Sequence, residues 1–364
     1  MISSIFAFIL FLGMLLPWLL KQNRKLSIYF LGSIPMLLAA YFGLISGVRF
    51  PLYELIGSQD PVLGISLALG LRELLWLVLT MVLISLHFII YRKQFLHLSL
   101  TSLVLYLFSF FAVCGIIFTR DIFNLFVMIE MFSLSMLGLI LATKNHLNAL
   151  KAFQYLLLNS IAAALFLIGV ALIYKHTGVL NIDVLLSMPA RHSIPGSPMA
   201  FILSAIALKL MLFPLNAWAK NLIGRTGGID SAYITVMMPM VFIFDLQKLS
   251  GLISASSVAL LSALAAITLL FYLFRLIRPD RHWRADLVFA ANALFVLGFS
   301  LHFYLDSYHL LLISALLSSG LKLVLLAPAK DIVAAEELSA RAFELNLNDS
   351  ILALMIVLAA LFVV

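Results

Sequence analysis

Long apolar runs alternate with short polar loops along most of this chain. The runs are about 18 to 22 residues long, which is the length that an α-helix needs to cross a bilayer and is too long for a strand of a membrane barrel. Length and flanking charge together predict about twelve spans: 2–20, 28–48, 71–91, 98–118, 122–142, 152–174, 199–219, 230–249, 255–274, 286–305, 308–327 and 349–364. The pattern therefore predicts an all-α, polytopic membrane helix bundle.

Two segments interrupt this alternation. Residues 175–198 are rich in turn-forming residues and predict a loop between spans. Residues 329–348 are acidic, amphipathic and helix-prone, which is typical of a segment lying on the inner membrane surface, before the last span at 349–364. Neither segment is long enough for a soluble domain, so we predict one membrane domain over residues 1–364.

Pro214 predicts a break inside the seventh span. A proline in a helix removes one backbone hydrogen bond, and its ring clashes with the carbonyl four residues earlier, which belongs here to Leu210. Carbonyl groups freed at mid-membrane depth need water or a ligand, so broken helices commonly line cavities. A plain kink is the alternative, but the closeness of Pro214 to a buried lysine, Lys209, favours a polar cavity.

Composition supports the membrane assignment. The chain has 364 residues, 64% hydrophobic and only 11% charged, and its mean hydropathy is +1.15. Soluble domains are about 45–50% apolar and about 25% charged, so this chain is expected in a lipid bilayer. Its single cysteine, Cys114, lies within an apolar run. The sequence therefore contains neither a disulfide framework nor a thiolate metal site.

The distribution of basic residues predicts the orientation. The net charge of +7 does not indicate nucleic acid binding, because the basic side chains lie in short loops between spans. With an outer N-terminus, fifteen of the 23 lysines and arginines fall in inner loops and six in outer loops. We therefore predict a multi-pass protein of the cell (inner) membrane with both termini outside. The run Met1–Leu20 lacks a basic leading region and a cleavage site, so we predict a retained first helix.

Three of the ionisable residues inside predicted spans are candidates for a functional site. Glu130 is central in the fifth span and Lys209 in the seventh, and Lys322 lies in the inner half of the eleventh. A charge at the centre of a membrane helix costs about 2.5–3.5 kcal/mol. An acid and a base are each costly alone and tolerable together, which favours a shared Glu130–Lys209 site over two unrelated accidents. Lys322 is either a further functional residue or a side chain that extends to the inner surface.

Another acid–base pair lies near the outer end of the eighth span. Asp245 and Lys248 are three residues apart, one helical step. We interpret them as an end pair whose side chains extend toward the interface, and keep them as secondary candidates for the site. By the same logic Glu73, beside Arg72 at the outer start of the third span, is predicted to be interfacial.

The sequence around these residues resembles a known family. The stretch "RDIFNLFVMIEMFSLSMLGLI" (120–140) is similar to the fifth helix of the proton-antiporter membrane subunits, and "ALKLMLFPLNAWAKN" (207–221) to their seventh. That family comprises the large subunits of Mrp-type sodium/proton antiporters, the D subunit among them, and the antiporter-like subunits of complex I and membrane hydrogenases. The resemblance covers about residues 50–327 and is most specific over 119–222.

The resemblance implies roles for the buried charges. It makes Lys209 the central proton-carrying lysine, Glu130 the carboxylate that tunes it, and Lys322 the match of a lysine in the eleventh helix. It implies proton transport, with sodium as an exchanged ion, and other membrane subunits as partners. Met240 and Ser318 stand where the family usually has a second relay lysine and a histidine, and the chain has fewer spans. It therefore resembles a divergent, shortened member.

Three functions remain open from the sequence. The chain is a transporting subunit of a cation/proton antiporter or related respiratory complex, a structural or assembly subunit with a decayed relay, or a membrane subunit of an NADH-quinone oxidoreductase-like complex. An intact Glu130–Lys209 pair favours the first, and Met240 and Ser318 favour the second. The sequence shows no nucleotide loop, flavin motif or metal cluster. We therefore expect no cofactor, no catalytic residue and no nucleic acid partner.

Overall fold

The computed structural model of the chain describes residues 51–57, 60, 64–142, 146–188, 196–223, 229–277 and 283–327, together with isolated positions between residues 11 and 38. The predicted spans 2–20 and 28–48 fall largely outside the described residues. The predicted surface segment 329–348 and the predicted last span 349–364 fall wholly outside them.

The described chain is mainly helical. Its α-helices, in chain order, are α1 Leu71–Phe95, α2 Leu100–Phe118, α3 Ile122–Ala142, α4 His146–Thr177, α5 Ile182–Ser187, α6 Gly196–Lys209, α7 Ala217–Ile223, α8 Ile229–Lys248, α9 Ala255–Leu276, α10 Trp283–Leu305 and α11 Tyr308–Leu326. Within the described residues, eight helices are long and apolar enough to cross a membrane: α1–α4 and α8–α11. The predicted all-α, multi-pass membrane fold is thus confirmed, while the predicted count of twelve spans stays a prediction.

A short hairpin, which the sequence did not predict, precedes α1. Strand β1 (Leu52–Ile56) pairs antiparallel with β2 (Ile65–Leu69), with Leu52 opposite Leu69. The apolar run continues from β2 into α1, so hydrophobicity alone gives no boundary. The boundary lies at Gly70, whose backbone N–H donates to Oε2 of Glu73 at 2.9 Å. This hydrogen bond satisfies a backbone N–H at the N-terminus of α1 and so favours the start of the helix at Leu71.

The chain divides into two compact units. The first contains Met1–Leu210 and Met237–Val258, and the second contains Met211–Val236 and Ala259–Val364. In the first unit, α2 packs against α3, α3 against α4, and α4 against α6. In the second unit, α10 and α11 pack along each other as an antiparallel pair joined by a two-residue turn.

One end of the first unit is held together by its connecting segments. Isolated β-bridges join Leu67 to Thr119 and Asp121 to Asn181. Backbone hydrogen bonds of 2.7–2.8 Å run from the Arg120 N–H to Ser66 and from the Ile182 N–H to the Arg120 carbonyl. These segments all belong to loops that the charge pattern predicts to be on the outer side. We call this end of the first unit the outer end.

The seventh predicted span is broken, as Pro214 predicted. Helix α6 ends at Lys209, and α7 begins only at Ala217. Between them, Met211 has a left-handed backbone with φ of 58°, and the Phe213–Pro214 peptide bond is cis. Pro214 has no backbone N–H and so cannot donate a hydrogen bond within a helix. This accounts for the interruption of the helix at this point of an otherwise apolar run.

Candidate functional site

Glu130 and Lys209 lie together inside the first unit. Glu130 is on α3 and Lys209 is the last residue of α6, and the Lys209 Nζ is 3.7 Å from Oε1 of Glu130. The Lys209 side chain is 5% exposed and that of Glu130 is 22% exposed. The structure therefore brings together the two residues that the cost of buried charge predicted to be partners.

Two neutral side chains complete the surroundings of the amine. The Lys209 Nζ donates to Oγ of Ser133 at 2.7 Å and to Oδ1 of Asn159. Asn159, on α4, also donates its Nδ2 to Oε2 of Glu130 at 3.3 Å. Asn159 therefore links the acid and the base, and three helices each contribute to one buried polar network.

Sequence reasoning missed Ser133 and Asn159, although each carried a signal. Ser133 is three residues after Glu130 and so lies on the same face of α3. Asn159 is an amide within the apolar run "YLLLNSIAAALF", where a buried polar group needs a partner. Neither signal identified the partner, because Asn159 and Lys209 are 50 residues apart in sequence.

An aromatic side chain lies against this network. The ring centroid of Phe242, on α8, is 5.4 Å from the Lys209 Nζ, within the range of a cation–π interaction. Met240, two residues earlier on α8, is 1% exposed. The network is therefore largely desolvated, a setting in which the charge of Lys209 is tolerated because a carboxylate and two hydrogen-bond acceptors face it.

Lys322 is buried in the second unit. Its side chain is 0% exposed, so it does not extend to a surface of the chain. Within the part of the chain that the structure describes, its Nζ has no hydrogen-bond partner, and neither do the hydroxyls of Ser318 and Ser319 or the amide of Asn292. Ser318 and Ser319 lie one helical turn before Lys322 and share its face of α11.

The register of the α10–α11 pair places Asn292 at the same level. Gly298 contacts Ser314 closely enough that a Cβ at Gly298 would collide with the Ser314 side chain. Antiparallel helices advance in opposite directions at 1.5 Å per residue, so Asn292, six residues before Gly298, falls opposite residue 320. Asn292 of α10 therefore lies at the level of the α11 segment that carries Lys322, Ser318 and Ser319.

The interpretation of Asp245 and Lys248 as an end pair whose side chains extend toward the interface was wrong. Their side chains do not extend into solvent: Asp245 is 0% and Lys248 5% exposed. The Lys248 Nζ donates to the carbonyls of Ile116 and, at 2.8 Å, Thr119. These carbonyls lie at the C-terminus of α2, where helical carbonyls lack intrahelical partners and the helix dipole attracts a cation. A partner inside the protein therefore replaces water.

The Asp245 carboxylate accepts no hydrogen bond from Lys248. Neither of its oxygens has a hydrogen-bond partner among the described residues. The nearest cation along α8 is Lys248, whose amine is turned to the end of α2. Asp245 is thus a wholly buried acid that no described donor satisfies.

Glu73 also lies inside the protein, in contrast to its predicted interfacial position. It is 5% exposed, and its Oε1 is 2.6 Å from Nη2 of Arg120, which lies between α2 and α3. Nη1 of Arg120 is 3.9 Å from Oδ1 of Asp183 on α5. Arg120 therefore joins two acids from different elements at the outer end.

Asp121 fixes the start of α3, the helix that carries Glu130. Its Oδ1 accepts the backbone N–H of Asn124 at 2.7 Å, which is the bond of an N-cap residue. Burial raises the pKa of Asp121 above its ordinary value, and the hydrogen bond from Asn124 opposes that rise. The cap holds the first turn of α3 and with it the depth of Glu130.

A cavity of about 750 Å³ opens at the outer end of the first unit. The residues that line it include Glu73, Arg120, Gln247 and Lys248. Among the described residues, no group of three or more histidine, cysteine or carboxylate side chains is placed to hold a metal ion.

Comparisons with known proteins agree with the fold. Residues 119–276 match the family described as NADH:quinone oxidoreductase/Mrp antiporter, transmembrane. The N subunit of NADH-quinone oxidoreductase from Desulforudis audaxviator is 31% identical over 138 residues, which are 37% of this chain and 27% of that subunit. The D subunit of a probable K(+)/H(+) antiporter from Rhizobium meliloti is 30% identical over 143 residues, 38% of this chain and 25% of that subunit.

A solved structure shows the same fold over nearly the whole chain. A chain in the structure of the Mrp complex from Dietzia sp. superposes with a TM-score of 0.75 at 18% sequence identity, over 97% of this chain and 77% of that chain. The sequence alignments, in contrast, span about a quarter of the length of these two curated relatives. The matched family segment contains Glu130, Lys209, Asp245 and Lys248.

Proposed function

We propose that the chain carries protons as one subunit of a multi-subunit cation/proton antiporter or related respiratory complex. Residues 119–276 match the NADH:quinone oxidoreductase/Mrp antiporter transmembrane family, and the fold is similar to that of a chain in an Mrp complex. The observation that supports this most directly is the 3.7 Å approach of Lys209 to Glu130 inside a helical membrane protein.

The pair has the properties of a proton-loading site. Two opposite charges 3.7 Å apart attract by about 4 kcal/mol at an effective dielectric constant of about 20. Neutralising Glu130, or moving it away, therefore promotes release of a proton from Lys209. Ser133 and Asn159 hold the amine in place through neutral oxygens, so the amine keeps its position while its charge changes.

Lys322 is the second proton station of this proposal, in the second unit. Ser318 and Ser319 share its face of α11 and Asn292 lies at its level on α10, which supports a polar setting for a protonated or a neutral amine. Met240 offers no ionisable group on α8. Proton transfer between Lys209 and Lys322 therefore requires water or a group from a partner subunit, and we propose that the chain transports poorly alone.

Partner subunits and orientation belong to the same proposal. The curated relatives are named as subunits, and the solved structure is that of an Mrp complex, which supports other membrane subunits as partners. Protons are the proposed substrate, with sodium or another monovalent cation exchanged for them. The excess of basic residues in one set of loops supports an inner-membrane position with both termini outside.

The test compares transport by variants of the co-expressed complex. The chain is expressed together with the subunits that neighbouring genes encode, in a strain without sodium/proton antiporters. The collapse of a pH gradient on addition of the cation is then measured in everted vesicles. Lys209→Ala and Glu130→Gln should each reduce the rate about 10-fold or more. Lys175→Ala, which changes an exposed lysine at the end of α4, is the matched control and should have no effect.

Two results would contradict the proposal. Normal transport by Lys209→Ala in a correctly assembled complex would support the structural-subunit alternative. Full salt tolerance from the chain expressed alone would show that no partner is needed to complete the path.

A further inference from the structure

We propose that Asp245 is a second protonatable station in the first unit and connects Lys209 with the cavity at the outer end along helix α8. This inference rests on the function proposed above, because it takes Lys209 as the source of the proton. It adds an exit that needs neither Lys322 nor the position of Met240.

One side of α8 joins the two places. Phe242, Asp245 and Lys248 follow each other at intervals of three residues, so each is offset by about 60° from the last and all lie on one side of the helix. The ring of Phe242 contacts the Lys209 amine, and Lys248 lines the cavity. The rise from Phe242 to Lys248 is about 9 Å, with Asp245 halfway along it.

The carboxyl group of Asp245 has no structural task in the described chain. It is wholly buried, and neither oxygen has a hydrogen-bond partner among the described residues. An apolar residue of similar size would cost less at such a position. A buried carboxyl that is not needed to hold another group is suited to bind and release a proton.

Lys248 is a positioned cation next to that acid. Its amine is fixed by the carbonyls of Ile116 and Thr119, so its charge remains one helical turn from Asp245. A fixed positive charge favours the ionised carboxylate and therefore the release of the proton from Asp245 toward the cavity. The structural role of Lys248, at the end of α2, keeps this charge in place.

Glu73 and Arg120 line the cavity, and Asp183 lies next to Arg120. Glu73 comes from α1, Arg120 from the turn between α2 and α3, and Asp183 from α5. Arg120 pairs with Glu73 at 2.6 Å, so Glu73 does not compete with Asp245 for Lys248. The charged side chains that line the cavity favour the presence of water there. Water is the proton acceptor that the last step requires.

The transfer balances in two steps. First an N–H bond of protonated Lys209 breaks, the proton passes to a water molecule beside the ring of Phe242, and that water gives up a proton to form an O–H bond on the ionised Asp245 carboxylate. Then that O–H bond breaks, the proton passes to water at the cavity, and Asp245 is again ionised beside Lys248. No redox partner is involved.

The test measures cation-induced proton transport by the co-expressed complex in everted vesicles. Asp245→Asn keeps the shape of the side chain but cannot carry a proton, and should reduce transport about 10-fold or more, while Asp245→Glu should retain a measurable part. Asp306→Asn makes the same chemical change in an exposed turn of the second unit and should leave transport unchanged. Thermal unfolding of each purified complex identifies variants that fail to fold.

The outcomes separate this inference from the proposed function. Loss in both Lys209→Ala and Asp245→Asn supports the route. Loss in Lys209→Ala with normal transport by Asp245→Asn overturns the route and leaves the proposed function standing. Normal transport by Lys209→Ala overturns both.

A second measurement does not depend on transport. The infrared band of protonated carboxylic acids should grow on acid titration of the purified chain in lipid, and the part of that growth that Asp245 contributes should be missing in Asp245→Asn. An identical titration spectrum for the two proteins would show that Asp245 does not change protonation, and the route would be wrong.

Discussion

The coupling between Glu130 and Lys209 can be measured by replacing them singly and together, as Glu130→Gln, Lys209→Met and the double variant. Removing one partner of a buried pair costs about 3 kcal/mol, because the other charge is left buried. The direct attraction at 3.7 Å is about 4 kcal/mol at an effective dielectric constant of about 20. This is an upper value, since Glu130 is 22% exposed and Ser133 and Asn159 remain bonded to the amine.

We therefore expect a coupling free energy of about 2 kcal/mol. The double variant should lose about 4 kcal/mol of unfolding free energy instead of the roughly 6 kcal/mol that independent sites would give. The assay is reversible unfolding of the purified chain by a denaturing detergent in mixed micelles, followed by tryptophan fluorescence. Lys175→Met provides the baseline for loss of an exposed lysine. Additivity within about 0.3 kcal/mol would refute the pairing on which the proposed proton-loading site depends.

Four further predictions concern a buried lysine, the cap of α3 and two loops. Lys322→Met should raise the unfolding free energy by about 1 kcal/mol and still reduce transport, because it removes a buried charge without a described partner; a less stable protein would mean that Lys322 has a stabilising partner. Asp121→Ala should cost about 1 kcal/mol in the same unfolding assay through loss of the cap. Burial raises the folded-state pKa of Asp121, so the ionised carboxylate lowers the unfolding free energy above that pKa. The unfolding free energy of Asp121→Asn should therefore equal or exceed that of the wild type at neutral pH. Any gain should disappear below the unfolded-state pKa, where the aspartate is protonated in both states. Reporter fusions should place 175–198 outside and 275–284 inside, and an outside signal from 275–284 would contradict the span assignment.

The sequence alone could predict the fold class and the presence of a site. In lipid every backbone polar group must find a partner within the chain, so an apolar run of about 20 residues has few structures open to it other than a helix. The cost of a buried charge likewise depends mainly on depth. Glu130 and Lys209 were therefore conspicuous without any knowledge of their neighbours, and Pro214 marked the break because its effect on a helix is local.

Side-chain partners were not predictable in the same way. Lys209 bonds to Ser133, 76 residues away, and Lys248 to the carbonyl of Ile116, 132 residues away. Such contacts depend on which helices are neighbours, and the apolar pattern carries no record of that. The β1–β2 hairpin was missed for a related reason, since a strand and a helix buried within the same apolar run have similar composition.

The sequence by itself determined that the chain crosses a membrane and that an acid and a base lie buried within it, because transfer of each group out of water has a cost that its position in the chain already sets. Only the tertiary structure decided where those groups find partners. The Lys248 amine, which the sequence predicted to lie near the interface, caps the C-terminus of α2, and Glu73 pairs with Arg120. Asp245 and Lys322 are buried without a described hydrogen-bond partner. The reason is physical: a charged side chain can be satisfied by water, by a carbonyl or by an opposite charge, and only packing determines which of these is within reach.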